Sequence, residues 1–339
     1  MNARSGHAGP LQLRNWYDYL RQAEATAARF DGHYLAGHFE YEHPTRLQTG
    51  TPRRMRRAYR VRIAYSEWGT RGAPRLVCCG GVANSAMRFA YLADALRDRF
   101  HVICMDWAGR GASGWLVDEG DYSLASHVEQ LRQLIEHLGG APVTVLGSSL
   151  GGSAGIALAA RYPRRVRRLI LNDIGPYVPK SRRTRRAQAL ARHYVFRDPA
   201  DLMRRIGAAQ RNFGPASDDV RFHLSYHQTR WSEADGGRVY RHDVRALQAY
   251  RSDAGANLDQ WSDWQRVRCP VLVIHGLQSD ALLPATLARM GKGRELQLMH
   301  VPDTGHTPIL HDRNQIHFIG EWLATPQPGA GEWCVLHAR

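Results

Sequence analysis

Lysine is nearly missing from this chain. Of its 46 basic residues only Lys180 and Lys292 are lysines, and the others are arginines. That shortage decides how to read the net charge of +15 and the pI near 10.1. A face selected to bind polyanions can use both cations, whereas arginine at nearly every basic position points to a coding bias. The clusters Arg53–Arg57, Arg164–Arg168 and Arg182–Arg186 also lack the interleaved aromatics of a single-strand binder. No nucleic-acid partner is expected.

Long apolar runs are missing as well. No stretch approaches the roughly 20 residues of a membrane span, so none is expected. Residues 1–32 have polar or charged residues throughout and contain no apolar signal-peptide core. The five cysteines are odd in number, fall mostly in apolar runs and show no metal-ligand spacing. They read as free buried thiols in a reducing compartment, so the expected location is cytoplasmic. No cofactor and no metal are expected.

What is present centres on Pro142–Tyr162. Val143 to Leu146 has the length and β-branching of a buried strand, and an Ala/Leu-rich helical run begins at Leu150. Between them Gly147-Ser148-Ser149-Leu150-Gly151 fits Gly-x-Ser-x-Gly. The chain must turn from strand to helix at once, which forces Ser149 into a strained conformation and requires glycine on both sides. The hydroxyl then points outward while the new helix directs N–H groups at any oxyanion beside it.

Around this turn the chain alternates. Tyr59 to Tyr65 reads as an antiparallel edge strand with one exposed face, and Leu76–Cys79, Val102–Met105, Leu169–Asp173, Pro270–His275 and Leu296–Val301 read as further strands. Leu124, Val128, Leu131, Leu134, Ile135 and Leu138 recur at helical spacing until Gly139-Gly140. Strands alternating with helices predict a doubly wound, mostly parallel sheet. The alternation stops between residues 176 and 263, which read as a helical insertion. The expected division is a core of residues 51–175 and 264–325, this insertion as a cap, an extension over 1–50 and a tail over 326–339. The extension, with a short helix through Leu11, Leu13, Trp16, Tyr17 and Leu20, reads as packing on the core or swapping within a homo-oligomer.

An activated serine needs a base, the base needs an orienting carboxylate, and the oxyanion needs two donors. In doubly wound sheets these groups sit in loops after the carboxyl ends of strands. His306 lies just beyond the last strand and is the expected base. His275 reads as a packed core residue, His300 lies within a strand, and His311 begins a helix. Asp280, after the penultimate strand, is the expected acid, with Asp173 after the preceding strand as its rival. Asp303 is too near His306 in sequence. The oxyanion donors are the N–H groups of Leu150 and Val82.

These motifs together resemble the α/β-hydrolase superfamily over residues 59–324. They are Gly147-x-Ser149-x-Gly151, Asp106-x-x-Gly109-x-Gly111-x-Ser113, Gly276-x-x-x-Asp280 and Gly305-His306. The resemblance implies a cofactor-independent serine hydrolase whose cap covers the site and whose substrate is a small ester-like molecule. One departure is Gly80-Gly81 where such proteins commonly have His-Gly, so a histidine that supports the oxyanion loop is missing. A carbon–carbon bond hydrolase or an acyltransferase uses the same fold, although the longer Gly-rich loop of ring-cleavage-product hydrolases is absent. A non-catalytic ligand-binding protein is the alternative from another class.

Overall fold

The computed structural model describes residues 13, 15–44, 58–190 and 192–338. Nine strands form the main sheet: β1 (Tyr34–His43), β2 (Tyr59–Trp68), β3 (Arg75–Cys79), β4 (His101–Met105), β5 (Val143–Ser148), β6 (Val166–Asn172), β7 (Val271–Gly276), β8 (Gln297–Val301) and β9 (Gly331–Cys334). Their order is β1-β2-β4-β3-β5-β6-β7-β8-β9. The ladders joining β1 to β2 and β2 to β4 are antiparallel, and every other ladder is parallel. The strands β4, β5 and β7 are buried along their whole length, as their β-branched and Leu-rich runs require of a sheet covered on both faces.

Two sequence expectations are corrected at the sheet edges. β2 is not an edge strand, because all ten residues of β1 pair with it. Phe39 and Tyr41 alternate with His38, Glu40 and Glu42, a period-2 signal that places one face of β1 against the core. The extension thus contributes a strand to the core. At the far edge, β9 pairs with β8, so the tail also belongs to the sheet. Leu11 and the expected boundary at residue 50 lie outside the described residues.

Seven helices matter for the site: α1 (Trp16–Ala28), α2 (Leu124–His137), α3 (Leu150–Arg161), α4 (Lys180–Leu190), α5 (Asp218–Gln228), α6 (Val244–Asp253) and α7 (Arg313–Ala324). α2 ends as the sequence requires, with Gly139 and Gly140 at φ +95° and +72°. α3 is buried from Gly151 to Ala159, which explains a run of small and apolar residues with little amphipathic contrast.

The insertion is not purely helical. Tyr177–Val178 and Leu258–Asp259 pair at its two ends and close its neck, and Val195–Phe196, Gly237–Tyr240 and Thr229–Ser232 form a small antiparallel sheet. α1 packs on it: Tyr19 and Ala23 share an apolar cluster with Phe196, Leu202 and Phe222, and the Tyr19 hydroxyl lies 2.8 Å from that of Ser225. Phe30, just after α1, meets Trp68 and Tyr91 of the core and His223 of α5 edge-on. Exposed Tyr17 stands apart from this contact.

No helix among the described residues is long and apolar enough to cross a membrane. Cys78, Cys79 and Cys104 are buried free thiols, Cys269 is half-buried, and Cys334 is exposed.

Candidate active site

β5 runs directly into α3, and Ser149 sits at the junction with φ 51° and ψ −111°. Such a backbone costs a non-glycine residue about 1–3 kcal/mol, and persists only where the surroundings enforce it. They do so here. A Cβ on Gly147 would lie 2.3 Å from the backbone of Gly151, and one on Gly151 would lie 2.2 Å from the carbonyl oxygen of Cys79. Only glycine allows the strand, the turn and the neighbouring strand to approach this closely.

The loop after β3 approaches from the other side. A Cβ on Gly81 would stand 3.6 Å from that of Ser149. The N–H groups of Val82 and Leu150 take no acceptor among the described residues. The loop is held without the missing histidine. Trp107 Nε1 donates to the carbonyl of Gly80 at 2.9 Å, and Arg110 Nε donates to that of Val82 at 3.0 Å. Both come from the segment that follows β4. Asp106 ties that segment to the chain that follows β3 by accepting from Ala112 and Ala86 N–H, at 2.9 and 2.6 Å. Burial raises its pKa to about 6 against the pull of those donors.

His306 follows β8, and its Nδ1 donates to Asp173 Oδ2 at 2.9 Å. Asp173 directly follows β6, with φ 54°, and is fully buried. It also accepts from Gly276 N–H at 3.0 Å and from the Ser279 hydroxyl at 2.5 Å. A buried carboxylate with three donors is held in one orientation. The bond to Nδ1 fixes the imidazole tautomer and leaves Nε2 to accept a proton. Burial lowers the His306 pKa, Asp173 opposes that shift, and Arg182 and Arg186 add to it.

Asp280 is not at the base. Its two carboxylate oxygens accept from Arg182 Nε at 2.6 Å and Arg185 Nη2 at 2.5 Å, both on α4. The expectation that Asp280 orients His306 is therefore replaced by its rival. The parallel register pairs Asn172 with Ile274, which brings Asp173 beside Gly276 and Ser279. One residue later the loop has turned outward to α4, where the two guanidiniums take Asp280. The contact missed in sequence was Ser279, whose only signal is a hydroxyl next to the loop that follows β7. His275 is buried in the core, as read, with Nε2 3.1 Å from the Leu282 carbonyl.

Ser149, Leu150, Val82 and His306 line one cavity of about 370 Å³, roofed by α4 and α6. No group of His, Cys, Asp and Glu among the described residues is placed to hold a metal ion.

The comparisons with known proteins agree with this architecture. The sequence model of the alpha/beta hydrolase fold matches residues 74–312. A 3-hydroxybutyrate-oligomer hydrolase from Cupriavidus necator is 31% identical over 75% of this chain and 90% of its own. A 2-(acetamidomethylene)succinate hydrolase from Mesorhizobium japonicum is 26% identical over 73% and 86%. The crystal structure of an alpha/beta hydrolase from Novosphingobium aromaticivorans superposes with a TM-score of 0.71 at 24% identity, covering 86% of this chain and 98% of that one. The chain belongs to the α/β-hydrolase family. It is an enzyme of that class.

Proposed function

We propose that the enzyme hydrolyses carboxylic esters of small to medium soluble substrates through an acyl-enzyme on Ser149. The observation that carries this reading is the buried Asp173–His306 bond on the wall of the cavity into which the elbow presents Ser149. His306 Nε2 takes the Ser149 proton as Oγ attacks the ester carbonyl. The N–H groups of Leu150 and Val82 donate to the resulting oxyanion, and Asp173 balances the imidazolium. His306 then delivers the proton to the departing alkoxide oxygen, leaving the acyl group on Ser149. Water repeats the sequence and releases the acid.

Oligomers of hydroxy acids, such as the substrate named for the Cupriavidus relative, are joined by ester bonds and suit such a site. The cavity is at the small end of the range for ligand pockets, which favours short acyl chains. A series of esters of rising acyl length tests this. Turnover is expected to peak at short or medium chains, with no jump in rate above the solubility limit. A preference for C12 or longer would remove the proposal.

The environment of His306 sets the pH profile. A general base works when neutral, and a lowered pKa keeps it neutral to a lower pH. The acid limb of kcat/KM is therefore expected below the ordinary histidine value of 6.5. A limb above 7 would assign the base elsewhere.

A further inference from the structure

The cap helix α4 carries four arginines, and three are matched to carboxylates. Arg182 and Arg185 share Asp280, and Arg183 donates to Asp253. Arg186 has no hydrogen bond and no ion pair to any described residue. It sits one helical turn beyond Arg182, on the same face, and lines the cavity that holds Ser149 and His306. Burial is the first cause that lowers its pKa and the charge of Arg182 the second.

A second unmatched guanidinium stands behind the cavity wall. Arg88 is fully buried over the ring of Phe213, 4.8 Å from its centroid. Its Nη2 donates to the Thr307 carbonyl at 2.5 Å, while Nε and Nη1 have no hydrogen-bond partner among the described residues. Burial and the charge of Arg186 lower its pKa to about 10. Asp280 and Asp253 are engaged by arginines and Asp173 by His306, while Glu119, on the same cavity lining, makes no ion pair with Arg186. Arg110, Arg182, Arg183 and Arg186 on the lining outnumber its carboxylates, Glu119 and Asp253, so the cavity carries an excess of positive charge, and Arg186 has no carboxylate bonded to it. A buried charge without a partner is costly, and an anion arriving with the ligand removes that cost.

We propose that Arg186 receives a carboxylate on the substrate, so that the natural substrates of this site are esters that also carry a free acid group. The guanidinium fork matches a carboxylate in two parallel hydrogen bonds, with a geometry that a hydroxyl or an amide cannot reproduce. A carboxylate seated on Arg186 also neutralises a charge beside His306 and so favours the imidazolium formed during attack. The inference rests on the ester-hydrolase reading of Ser149.

Two matched pairs of esters test it. One pair places the acid on the acyl side, as the ethyl monoester of glutaric acid against its monoamide. The other places it on the alcohol side, as an O-acetylated 3-hydroxy acid against its amide. In at least one pair kcat/KM is expected to favour the acid by about 30-fold, the size of one hydrogen-bonded charge pair. Arg186→Met should bring that ratio close to one, chiefly through KM, and Arg186→Lys should restore part of it. With the amides, the acid limb of Arg186→Met should move to higher pH, because a cation beside His306 is gone. Its melting temperature should not fall, whereas an arginine with a purely structural role would lower it when removed. A wild-type ratio near one in both pairs, or a ratio that survives Arg186→Met, overturns the proposal. Hydrolysis of both pair members undiminished in Ser149→Ala overturns the ester-hydrolase reading instead.

Discussion

Ser149→Ala is expected to lower kcat on a short soluble ester by about 10⁴–10⁶, the loss seen when a serine triad loses its nucleophile. The variant should fold at least as well as the parent. Alanine removes one oxygen at a position where β5, the loop after β3 and the flanking glycines fix the backbone. The check is paired: steady-state kinetics beside thermal unfolding, with a fluorophosphonate label mapped to a peptide. Label on Ser148 or Ser153 would refute the elbow reading, as would a variant that keeps most of its activity. Ser148 is an unpromising rival because it is fully buried and its hydroxyl accepts from Asn172 Nδ2 at 2.8 Å.

The second large effect separates two aspartates. Asp173→Asn should cut kcat by about 10⁴, because the amide no longer fixes the His306 tautomer or balances the imidazolium. The Oδ1 position can still accept from Gly276, so the loop keeps its shape. Asp280→Asn should change kcat by less than about tenfold. Its carboxylate is nearly half exposed and serves Arg182 and Arg185, so the loss in stability should be about 1 kcal/mol or less. Kinetics on the two variants decide the matter, and a reversal of their order would return the acid to Asp280.

That choice shows where the sequence stops being informative. The elbow is legible because it is local: strand residues, two glycines, a serine and a helix within one short stretch. His306 is legible because few residues separate it from the end of β8. Asp173 and Asp280 are both aspartates just beyond strand ends, and both keep the order serine, acid, histidine along the chain. What separates them is non-local. The β6–β7 register and Ser279 hold one inward, and α4 draws the other outward. Gly80-Gly81 looked like a weakened oxyanion loop for a similar reason. Its supports, Trp107 and Arg110, lie in the segment after β4 and carry no local sign of that duty. β1 did carry a signal, the alternation around Phe39 and Tyr41, whereas the four residues of β9 are too few to show a period.

The way α1 and β1 run past the insertion has a mechanical consequence. The insertion joins the core through a neck closed by the Tyr177–Val178 and Leu258–Asp259 ladder, and is tied to it at Asp280 by two guanidiniums. A third attachment is the N-terminal strap, which packs Tyr19 against α5 and then enters the sheet as β1. Swinging the insertion away from Ser149 would therefore require breaking the Asp280 ion pairs and the Tyr19 contact together.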